Sequence, residues 1–366
     1  MAVSLVSTGV TFPDSSTQTT AATGFGFKNR IINGAMVIDQ RNAGALINPA
    51  VSGFTVDRWS YFQNQTSKGT IGQNAGAVTP PVGFTNYLGF TSTSAYALLT
   101  ADQFLIRQDI EGLNTYDLAW GTASAATVTL SFWVRSSLTG SFGGAIQNSG
   151  RDRNYPFAFV INSANTWEYK TVTIVGDTTG TWLTTNGRGI AVTFSVGTGA
   201  TYSATAGAWT GTSFITAPTG ATSVVGTNGA TFYITGVQLE KGSTATSFDY
   251  RPYGTELALC QRYLPAVGFG ADYFVGVSVS ATVGYITIPF KVSARTSPTG
   301  ITTGTVASMT TTSGNGTPIA LSSIGFTLSG TESALLDTLV ASGLTVGQGA
   351  LFSCNSQKIL FTGCEL

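Results

Sequence analysis

Histidine is absent from this chain of 366 residues. Histidine changes charge nearest to neutral pH, and it is the commonest general base and the commonest transition-metal ligand in proteins. Its absence also removes the Ser–His and Cys–His pairs by which many hydrolases activate a nucleophile. The sequence therefore argues against enzymes of these classes and against a histidine-ligated metal centre.

Cysteine is scarce as well. The three cysteines are Cys260, Cys354 and Cys364. Their spacing matches no zinc-binding pattern, and an odd number of cysteines is not typical of a disulfide framework. We expect all three to behave as small buried hydrophobic residues.

Charged side chains make up only 9% of the sequence, and 17 Lys and Arg balance 17 Asp and Glu. Because nucleic-acid backbones are bound through an excess of positive charge, we expect no nucleic-acid partner. The first residues, MAVSLVSTGVTF, lack the features of a signal peptide, and no apolar run reaches the ~20 residues of a membrane span. We therefore expect no membrane insertion.

Glycine and apolar residues are abundant instead. The chain has 45 glycines, and hydrophobic residues reach 42%, with 22 Phe, 13 Tyr and 6 Trp. Glycine is common in the turns that join strands, and this apolar content is too high for a disordered chain. The composition is typical of an all-β protein with many short strands.

Strict alternation identifies the clearest strand, Ala126–Arg135 (ATVTLSFWVR). Even-numbered positions are apolar, whereas odd-numbered positions carry Thr, Thr, Ser, Trp and Arg. A period of two predicts one buried face and one wetter face, which places Trp133 and Arg135 on the wetter side. Further strands are predicted at 57–63, 104–110, 166–175, 189–196, 273–283, 285–292 and 357–366.

The stretch Thr231–Leu264 joins two sets of strands. It begins with a strand interrupted by Gly236, which predicts a bulge or a close backbone approach. It ends in a predicted short helix over 254–264, with Thr255 as N-cap. Leucines at helical spacing predict one more short helix over Glu332–Ser342. We therefore expect two β-sandwich domains joined by a short helix.

Three phrases resemble segments of bacteriophage tail-fibre and related virion proteins. They are GVTFPDSSTQTTAATG (Gly9–Gly24), NRIINGAMVIDQRNAG (Asn29–Gly44) and ITGVQLEKGSTATSFDYRPYGTELALCQRYL (Ile234–Leu264). In that family, a jelly-roll similar to carbohydrate-binding modules ends in a VQLE-containing strand and a short helix. The resemblance covers both ends of the first domain and brings no catalytic residues.

The resemblance implies a division into four parts. Residues 1–25 would attach to other virion proteins, and 26–253 would form a β-sandwich like a carbohydrate-binding module. Residues 254–264 would form a helical linker, and 265–366 a second jelly-roll-like β-sandwich that is the candidate receptor-binding domain.

The implied function is that of a non-catalytic tail-fibre protein that attaches the virion to host-surface polysaccharide. By the same resemblance, the protein would be a homotrimer, made in the host cytoplasm and placed on the exterior of the virion. The alternative is a structural virion component, such as a capsid decoration or tail-attachment protein, that binds no glycan.

Sugar binding requires flat aromatic faces beside polar groups. Trp133 and Arg135 offer this combination, although the same face could instead be covered by a flank of the protein or by a neighbouring subunit. A second candidate for glycan contact is an exposed cluster in the loop SGRDRNYPF, formed by Arg151, Arg153 and Tyr155. A third candidate is an exposed loop at the start of the second domain, with Phe269, Asp272, Tyr273 and Phe274.

Carboxylates are the remaining candidates for chemistry. Jelly-rolls of the resembling kind often hold structural calcium, for which Asp57, Glu168 and Glu240 are possible ligands, but no loop has calcium-binding spacing. Asp109 and Glu111 lie near each other without a third group to assist glycoside cleavage. We therefore expect no enzymatic activity and no cofactor, and the presence of a metal stays open.

Overall fold

A computed structural model describes residues 4–6, 9–11, 17–18, 27–270, 272–314 and 316–366. The first three ranges are the strands of a small antiparallel sheet: β1 (Ser4–Val6), β2 (Gly9–Thr11) and β3 (Thr17–Gln18). Most of the predicted attachment segment 1–25 lies outside the described residues, so its role stays a prediction.

Residues 52–241 form two antiparallel sheets that face each other and a short parallel pair, β14-β15. The six-stranded sheet has the order β11-β10-β13-β8-β5-β4, and the five-stranded sheet has the order β12-β9-β16-β7-β6. The strands are β4 (Ser52–Phe54), β5 (Ser60–Gln63), β6 (Gly69–Gln73), β7 (Leu88–Ser92), β8 (Gln103–Glu111), β9 (Val128–Ser136), β10 (Gly140–Gln147), β11 (Asn154–Ile161), β12 (Glu168–Ile174), β13 (Arg188–Thr198), β14 (Ser203–Ala204), β15 (Ala217–Pro218) and β16 (Thr231–Lys241).

The core between these sheets is built by the predicted alternation. On β9, Val128, Leu130, Phe132 and Val134 are fully buried. Each buried side chain of this kind stabilises the fold by roughly 1.5–3 kcal/mol. The Phe132 ring lies 5.0 Å from the ring of Phe194 on the opposite sheet, measured between centroids. The predicted all-β sandwich is confirmed.

One α-helix, α1 (Tyr253–Gln261), is found among the described residues. It begins one residue before the predicted start at 254 and ends three residues before the predicted end at 264. The predicted N-cap, Thr255, is wrong: Pro252 occupies that position, and its carbonyl accepts hydrogen bonds from the amides of Thr255 (2.9 Å) and Glu256 (3.1 Å). Proline fixes the backbone φ angle near the value that a helix start needs.

Residues 266–362 form a seven-stranded and a three-stranded sheet. Their orders are β22-β21-β25-β18-β19-β24-β23 and β17-β26-β20. The strands are β17 (Ala266–Val267), β18 (Tyr273–Ser278), β19 (Val283–Pro289), β20 (Gly300–Thr303), β21 (Thr310–Ser313), β22 (Ile319–Ala320), β23 (Ser323–Ser329), β24 (Ser333–Leu339), β25 (Gly349–Ser353) and β26 (Ile359–Thr362). Their core includes Ile286, Leu336, Phe352 and Phe361. In the part of the chain that the structure describes, the loops of both sandwiches contain four short 3-10 helices: Gly112–Asn114, Tyr116–Leu118, Ala200–Tyr202 and Val306–Ser308.

The helix predicted over Glu332–Ser342 is wrong, because this segment is strand β24. Ala334, Leu336 and Thr338 are buried, whereas the residues between them are partly exposed. β24 pairs with β19 on one side and β23 on the other. Tertiary pairing has overridden the helical spacing of the leucines.

The two sandwiches meet at the helix and the last residues of the chain. Glu365 accepts hydrogen bonds from Arg58 (2.5 Å) and Arg41 (2.7 Å), both of the first sandwich. Leu366 packs against a small cluster around α1 that contains Cys260 and Ile38. The predicted linker is therefore packed on both sides, and the domain limits 26–253 and 265–366 stay predictions.

All three cysteines are buried as free thiols. Burial raises the pKa of Cys354 to about 12 and that of Cys364 to about 11, and it raises the pKa of Cys260 as well. The thiolate is the reactive form of cysteine, so these side chains act as apolar packing groups. No helix in the described parts of the chain is long and apolar enough to cross a membrane.

Candidate functional site

The predicted outward side chain Trp133 lies on the outer face of the five-stranded sheet. Its neighbours along β9, Phe132 and Val134, point into the core. β12 runs antiparallel beside β9 and places Tyr169 directly opposite Trp133. Their rings lie 5.5 Å apart between centroids, and 44% of Tyr169 is exposed. The two rings form one wall of a groove.

Three further aromatic rings form the opposite wall. Phe84 comes from the loop before β7, and Phe248 and Tyr250 come from the segment that follows β16. The Phe84 ring lies 5.1 Å from Phe248 and 5.6 Å from Tyr250. Tyr250 donates a hydrogen bond to the Gly83 carbonyl (3.0 Å), and burial raises its pKa, so it remains a neutral hydroxyl near pH 7.

Gly236 determines how closely Phe84 approaches the sheet. The register between β16 and β9 shifts between Thr235 and Gln238, which is the predicted bulge, and Gly236 has a φ of 61°. A Cβ atom at this position would lie 2.6 Å from the Phe84 ring. Glycine is therefore required both for the left-handed backbone and for the space that the ring occupies.

The VQLE phrase anchors the segment that carries Phe248 and Tyr250. Glu240 accepts hydrogen bonds from the Thr246 amide (2.9 Å), the Thr246 hydroxyl (2.7 Å) and the Gln238 side chain (2.8 Å). Gln238 in turn accepts one from the Asp249 amide (2.8 Å). Both side chains are buried, so their polar atoms hold the second wall of the groove in place instead of facing a ligand.

The groove has a volume of about 470 Å³. It is lined by Val82, Phe84, Ser131, Trp133, Tyr169, Gly236, Ala245, Thr246, Ser247, Phe248 and Tyr250. A volume of this order suits a short oligosaccharide or another small ligand. The lining combines ring faces with hydroxyl groups, and the described residues that form it include neither a carboxylate nor a basic side chain. These residues can stack against a neutral sugar, but they supply no acid–base pair for cleaving one.

The other residue predicted beside Trp133 does not line the groove. Arg135 lies on the same face of β9, but its Nε donates a hydrogen bond to the Asn165 carbonyl (2.9 Å). Its guanidinium lies 5.5 Å from the centre of the Tyr233 ring. Tyr233 and its partner Tyr87 are buried, so Arg135 covers an aromatic cluster next to the groove.

The predicted exposed cluster of Arg151, Arg153 and Tyr155 is wrong. Tyr155 is only 6% exposed, because β11 begins at Asn154 and the alternation turns Tyr155 inward, 5.2 Å from the Trp209 ring. Arg153 forms two hydrogen bonds of 2.7 Å to Asp177. Burial alone would raise the pKa of Asp177, but Arg153 and nearby donors hold it below its usual value. Arg151 points elsewhere, towards Phe214.

The predicted exposed loop of the second sandwich is also wrong in part. Tyr273 and Phe274 begin strand β18, so they point to opposite faces of the sheet. Tyr273 is 61% exposed, whereas Phe274 packs inward 6.3 Å from the Phe352 ring. Asp272 accepts a hydrogen bond from the Gly268 amide (2.7 Å). The exposed ring of Phe269 lines a separate cavity beside Tyr253 of α1, so the four residues do not form one site.

The three candidate calcium ligands are held separately. Asp57 accepts hydrogen bonds from Gln40 at the junction of the sandwiches, and burial raises its pKa to about 7. Glu168 caps the amides of Asn162 and Ser163 and pairs with Lys170; these contacts outweigh burial and lower its pKa to about 2. Glu240 holds Thr246. In the residues that the structure describes, no three acidic or sulfur side chains come together as a metal-binding group.

Comparison with known proteins gives distant similarities. No protein-family model matches the chain, and no curated protein matches it. The enzymatically active domain of tailspike protein 4 from bacteriophage CBA120 is similar over 59% of this chain, with 10% identity and a TM-score of 0.32; this chain spans 22% of that structure's length. A family 11 carbohydrate-binding module from Clostridium thermocellum, in complex with a β-1,3-1,4-mixed-linked tetrasaccharide, is similar over 55% of this chain and 100% of its own, with 12% identity and a TM-score of 0.26.

A third solved structure, the TmCBM61 module in complex with β-1,4-galactotriose, is similar over 50% of this chain and 88% of its own. Its identity is 12% and its TM-score 0.26. TM-scores of this size carry no argument about what this chain does.

Proposed function

We propose that this protein is a non-catalytic glycan-binding protein of the tail-fibre type, which attaches a virion to polysaccharide on the host surface. The observation that carries the proposal is the groove between Trp133 and Tyr169 on one side and Phe84, Phe248 and Tyr250 on the other. Stacking of aromatic faces on the apolar side of a pyranose is a principal source of sugar affinity, and hydroxyl groups at the rim supply hydrogen bonds.

The chemistry of the groove favours binding over catalysis. Glycoside cleavage needs two carboxyl groups on either side of the scissile bond, and the groove lining has none. Two carboxylates of β8, on the other sheet, are engaged in ion pairs: Asp109 pairs with Arg107 and Arg188, and Glu111 pairs with Arg262. The function that we propose is accordingly non-catalytic.

The virion assignment rests on the sequence resemblance of the phrases Gly9–Gly24, Asn29–Gly44 and Ile234–Leu264. On this proposal residues 1–25 bind other virion proteins, and the protein is synthesised in the host cytoplasm and placed on the virion exterior. The groove supports the glycan-binding part of the proposal, and it would serve equally in any glycan-binding protein.

A glycan array with the purified protein tests the binding proposal. We expect binding to one class of neutral oligosaccharide. We expect Trp133→Ala and Tyr169→Ala each to reduce the affinity about fivefold or more, because the loss of an aromatic stacking contact costs about 1 kcal/mol or more. Tyr116→Ala is the matched control, because Tyr116 is 64% exposed and does not line the groove. Binding that is unchanged in both groove variants would rule out the groove as the site.

A second function, that of a structural virion component, is favoured by the outer face of the seven-stranded sheet. Exposed apolar side chains form a patch there: Tyr273, Val275 and Val277 of β18, Tyr285 of β19, Leu328 of β23 and Leu351 of β25. A patch of this kind on a protein surface marks an interaction site. Because these side chains are uncharged, a second copy of the chain can cover them without bringing like charges together, as a homotrimer would require.

Sedimentation of the purified chain separates the two functions. A homotrimer that Val275→Asp dissociates, combined with no glycan binding on the array, would favour the structural role. Glycan binding that persists in the dissociated variant would favour the attachment role. Thr302→Asp, at an exposed position of β20 in the three-stranded sheet and outside the patch, serves as the charge-matched control.

A further inference from the structure

A group of arginines lies on the outer face of the six-stranded sheet, on the opposite side of the first sandwich from the groove. On β8, Ile106 and Ile110 point into the core, so Arg107 and Asp109 point outward. Arg107 Nε lies 3.4 Å from one carboxylate oxygen of Asp109. Arg188 of β13 lies 2.8 Å from the other. Two guanidinium groups thus converge on one carboxylate.

A third guanidinium belongs to the same group. Arg151 lies in the turn between β10 and β11, and its side chain faces the ring of Phe214 at 5.9 Å. Burial, together with the charges of Arg107 and Arg188, lowers the pKa of Arg151 to about 10. The strand register places the turn that carries Arg151 beside this group, because β10 ends at Gln147, which pairs with Ala191 of β13, and Ala191 pairs with Asp109 of β8. We call Arg107, Arg151 and Arg188 the arginine cluster.

The arginine cluster carries more positive charge than its surroundings balance. The three guanidinium groups outnumber the two carboxylates beside them, Asp109 and Asp152, which leaves an excess of one positive charge. Asp152 accepts a hydrogen bond from Asn148 (2.6 Å), and two further acids are paired, Asp177 with Arg153 and Glu111 with Arg262. Within the described ranges, Arg151 makes no salt bridge. Partly buried charges without a counter-ion are unfavourable, so an anion that enters this group is bound favourably.

The cluster is also open to a ligand. Of the Arg107 and Arg188 side chains, 15% and 19% are exposed. The Nε atom of each is buried and makes no hydrogen bond among the described residues, which leaves a donor for an anion. Phe214 is 46% exposed and held in a left-handed backbone conformation with a φ of 63°, beside Arg151. A backbone hydrogen bond of 2.8 Å from the Phe214 amide to the Arg151 carbonyl fixes the ring next to the guanidinium.

We propose that the arginine cluster binds the anionic group of an acidic sugar, a carboxylate or a phosphate ester, while the ring of Phe214 contacts the sugar itself. A guanidinium presents a planar fork of N–H donors that matches both oxyanions. Asp109 holds two of the forks in place without neutralising the third. This inference rests on the proposed function in taking the ligand to be a sugar, but it uses a different sheet and different residues from the groove.

Titration calorimetry of the full chain at low salt tests the inference with four probes: trigalacturonate, glucose 6-phosphate, maltotriose and inorganic phosphate. We expect trigalacturonate or glucose 6-phosphate to bind about tenfold or more tightly than maltotriose at this site, and the preference to shrink as NaCl is added, because salt screens partly exposed charges. The first two probes tell a carboxylate from a phosphate ligand.

Two variants assign the binding to the cluster. Arg151→Gln is expected to lower the affinity for the acidic sugar about tenfold, and its fold is at little risk because Arg151 makes no salt bridge among the described residues. Phe214→Ala is expected to weaken acidic-sugar binding and leave inorganic phosphate unaffected. Lys291→Gln removes one positive charge from an exposed position in the second sandwich and serves as the control.

Several results would overturn the inference. They are acidic sugars that bind no better than maltotriose, inorganic phosphate as the sole probe that binds, or acidic-sugar affinity that is unchanged in Arg151→Gln. Trp133→Ala separates this inference from the proposed function: it should weaken groove ligands and leave the arginine cluster's affinity unchanged. Loss of groove binding alone therefore counts against the groove, and loss of acidic-sugar binding alone counts against the cluster.

Discussion

The two sheets of the first sandwich share one core but carry different chemistry on their outer faces. The five-stranded sheet presents a groove of neutral aromatic and hydroxyl side chains around Trp133, whereas the six-stranded sheet presents charged side chains around Asp109. Both faces come from the same alternation of residues along β9 and β8. Inward positions determine the fold, so outward positions are free to differ between the two faces.

The largest effect is expected from a change that removes the support of both faces. The ring of Phe132 packs against Phe194 and Phe159, at 5.0 and 4.9 Å between centroids. Phe132→Ala is expected to lower the free energy of unfolding by about 3–5 kcal/mol, because the cavity cannot close completely. Urea unfolding followed by tryptophan fluorescence measures this. Val160→Ala, at a 52% exposed position, should change stability by less than about 0.5 kcal/mol.

If the two faces depend on one core, the Phe132→Ala variant should lose groove binding and acidic-sugar binding together when both are measured near the midpoint temperature of its thermal unfolding. A loss confined to one face would show that the sheets are supported independently.

An intermediate effect is expected from the charged face alone. Glu111 is 1% exposed and accepts two hydrogen bonds from Arg262, at 2.6 and 2.9 Å, and one from Tyr263. Arg262→Gln leaves this carboxylate buried without its counter-ion and is expected to cost about 2–3 kcal/mol at pH 7. Arg30→Gln, which breaks a more exposed pair with Asp117, should cost less than about 1 kcal/mol.

The pH dependence identifies the interaction. Burial would raise the pKa of Glu111, but Arg262 and Tyr263 outweigh it and hold the pKa below the usual value of 4.5. A lowered pKa in the folded state means that the stabilisation is present above about pH 4.5 and is lost as the pH falls further. Urea unfolding at pH 7 and pH 3.5 should therefore show a smaller difference between the variant and the native chain at pH 3.5. An equal difference in the free energy of unfolding at both pH values would contradict this assignment. Groove binding should be the same in Arg262→Gln and in the native chain.

The smallest effect on stability, confined to the neutral face, is expected from Gly236→Ala. A left-handed backbone costs an alanine about 1–2 kcal/mol, and the added Cβ would displace the Phe84 ring and narrow the groove. Gly229→Ala is the matched control, since Gly229 has a φ of 76° and no atom within 4 Å of the added Cβ. Both variants should lose similar stability, and Gly236→Ala alone should lose affinity in a glycan titration. Equal glycan affinity in the two variants would show that Phe84 does not shape the site.

Alternation in the sequence was sufficient to predict the core. Phe132 and Val134 are buried where a period of two places them, and Gly236 marks a bulge. The prediction was wrong at Glu332–Ser342, where leucines at helical spacing belong to a central strand, and at Tyr155, which the start of β11 turns inward. In both places the deciding contact comes from a partner strand, which local spacing does not reveal.

The candidate site could be predicted only in part. Trp133 was identified because its own strand shows which way it points. Phe84, Phe248 and Tyr250 were missed, because they come from two segments far apart in the sequence and only the folded chain brings them together. The phrase SFDYRP, with two aromatic residues two positions apart, was the available signal for Phe248 and Tyr250. The arginine cluster likewise joins β8, β13 and a turn.

The enclosure of every native sulfhydryl has a practical consequence for labelling. Cys260, Cys354 and Cys364 are buried, and their raised pKa values keep them protonated at neutral pH, out of reach of maleimide reagents. Val82, at the rim of the groove, is 99% exposed. A cysteine introduced there by Val82→Cys would be the one position that takes up a fluorophore, and its emission would report whether the groove is occupied without any prior removal of the native residues.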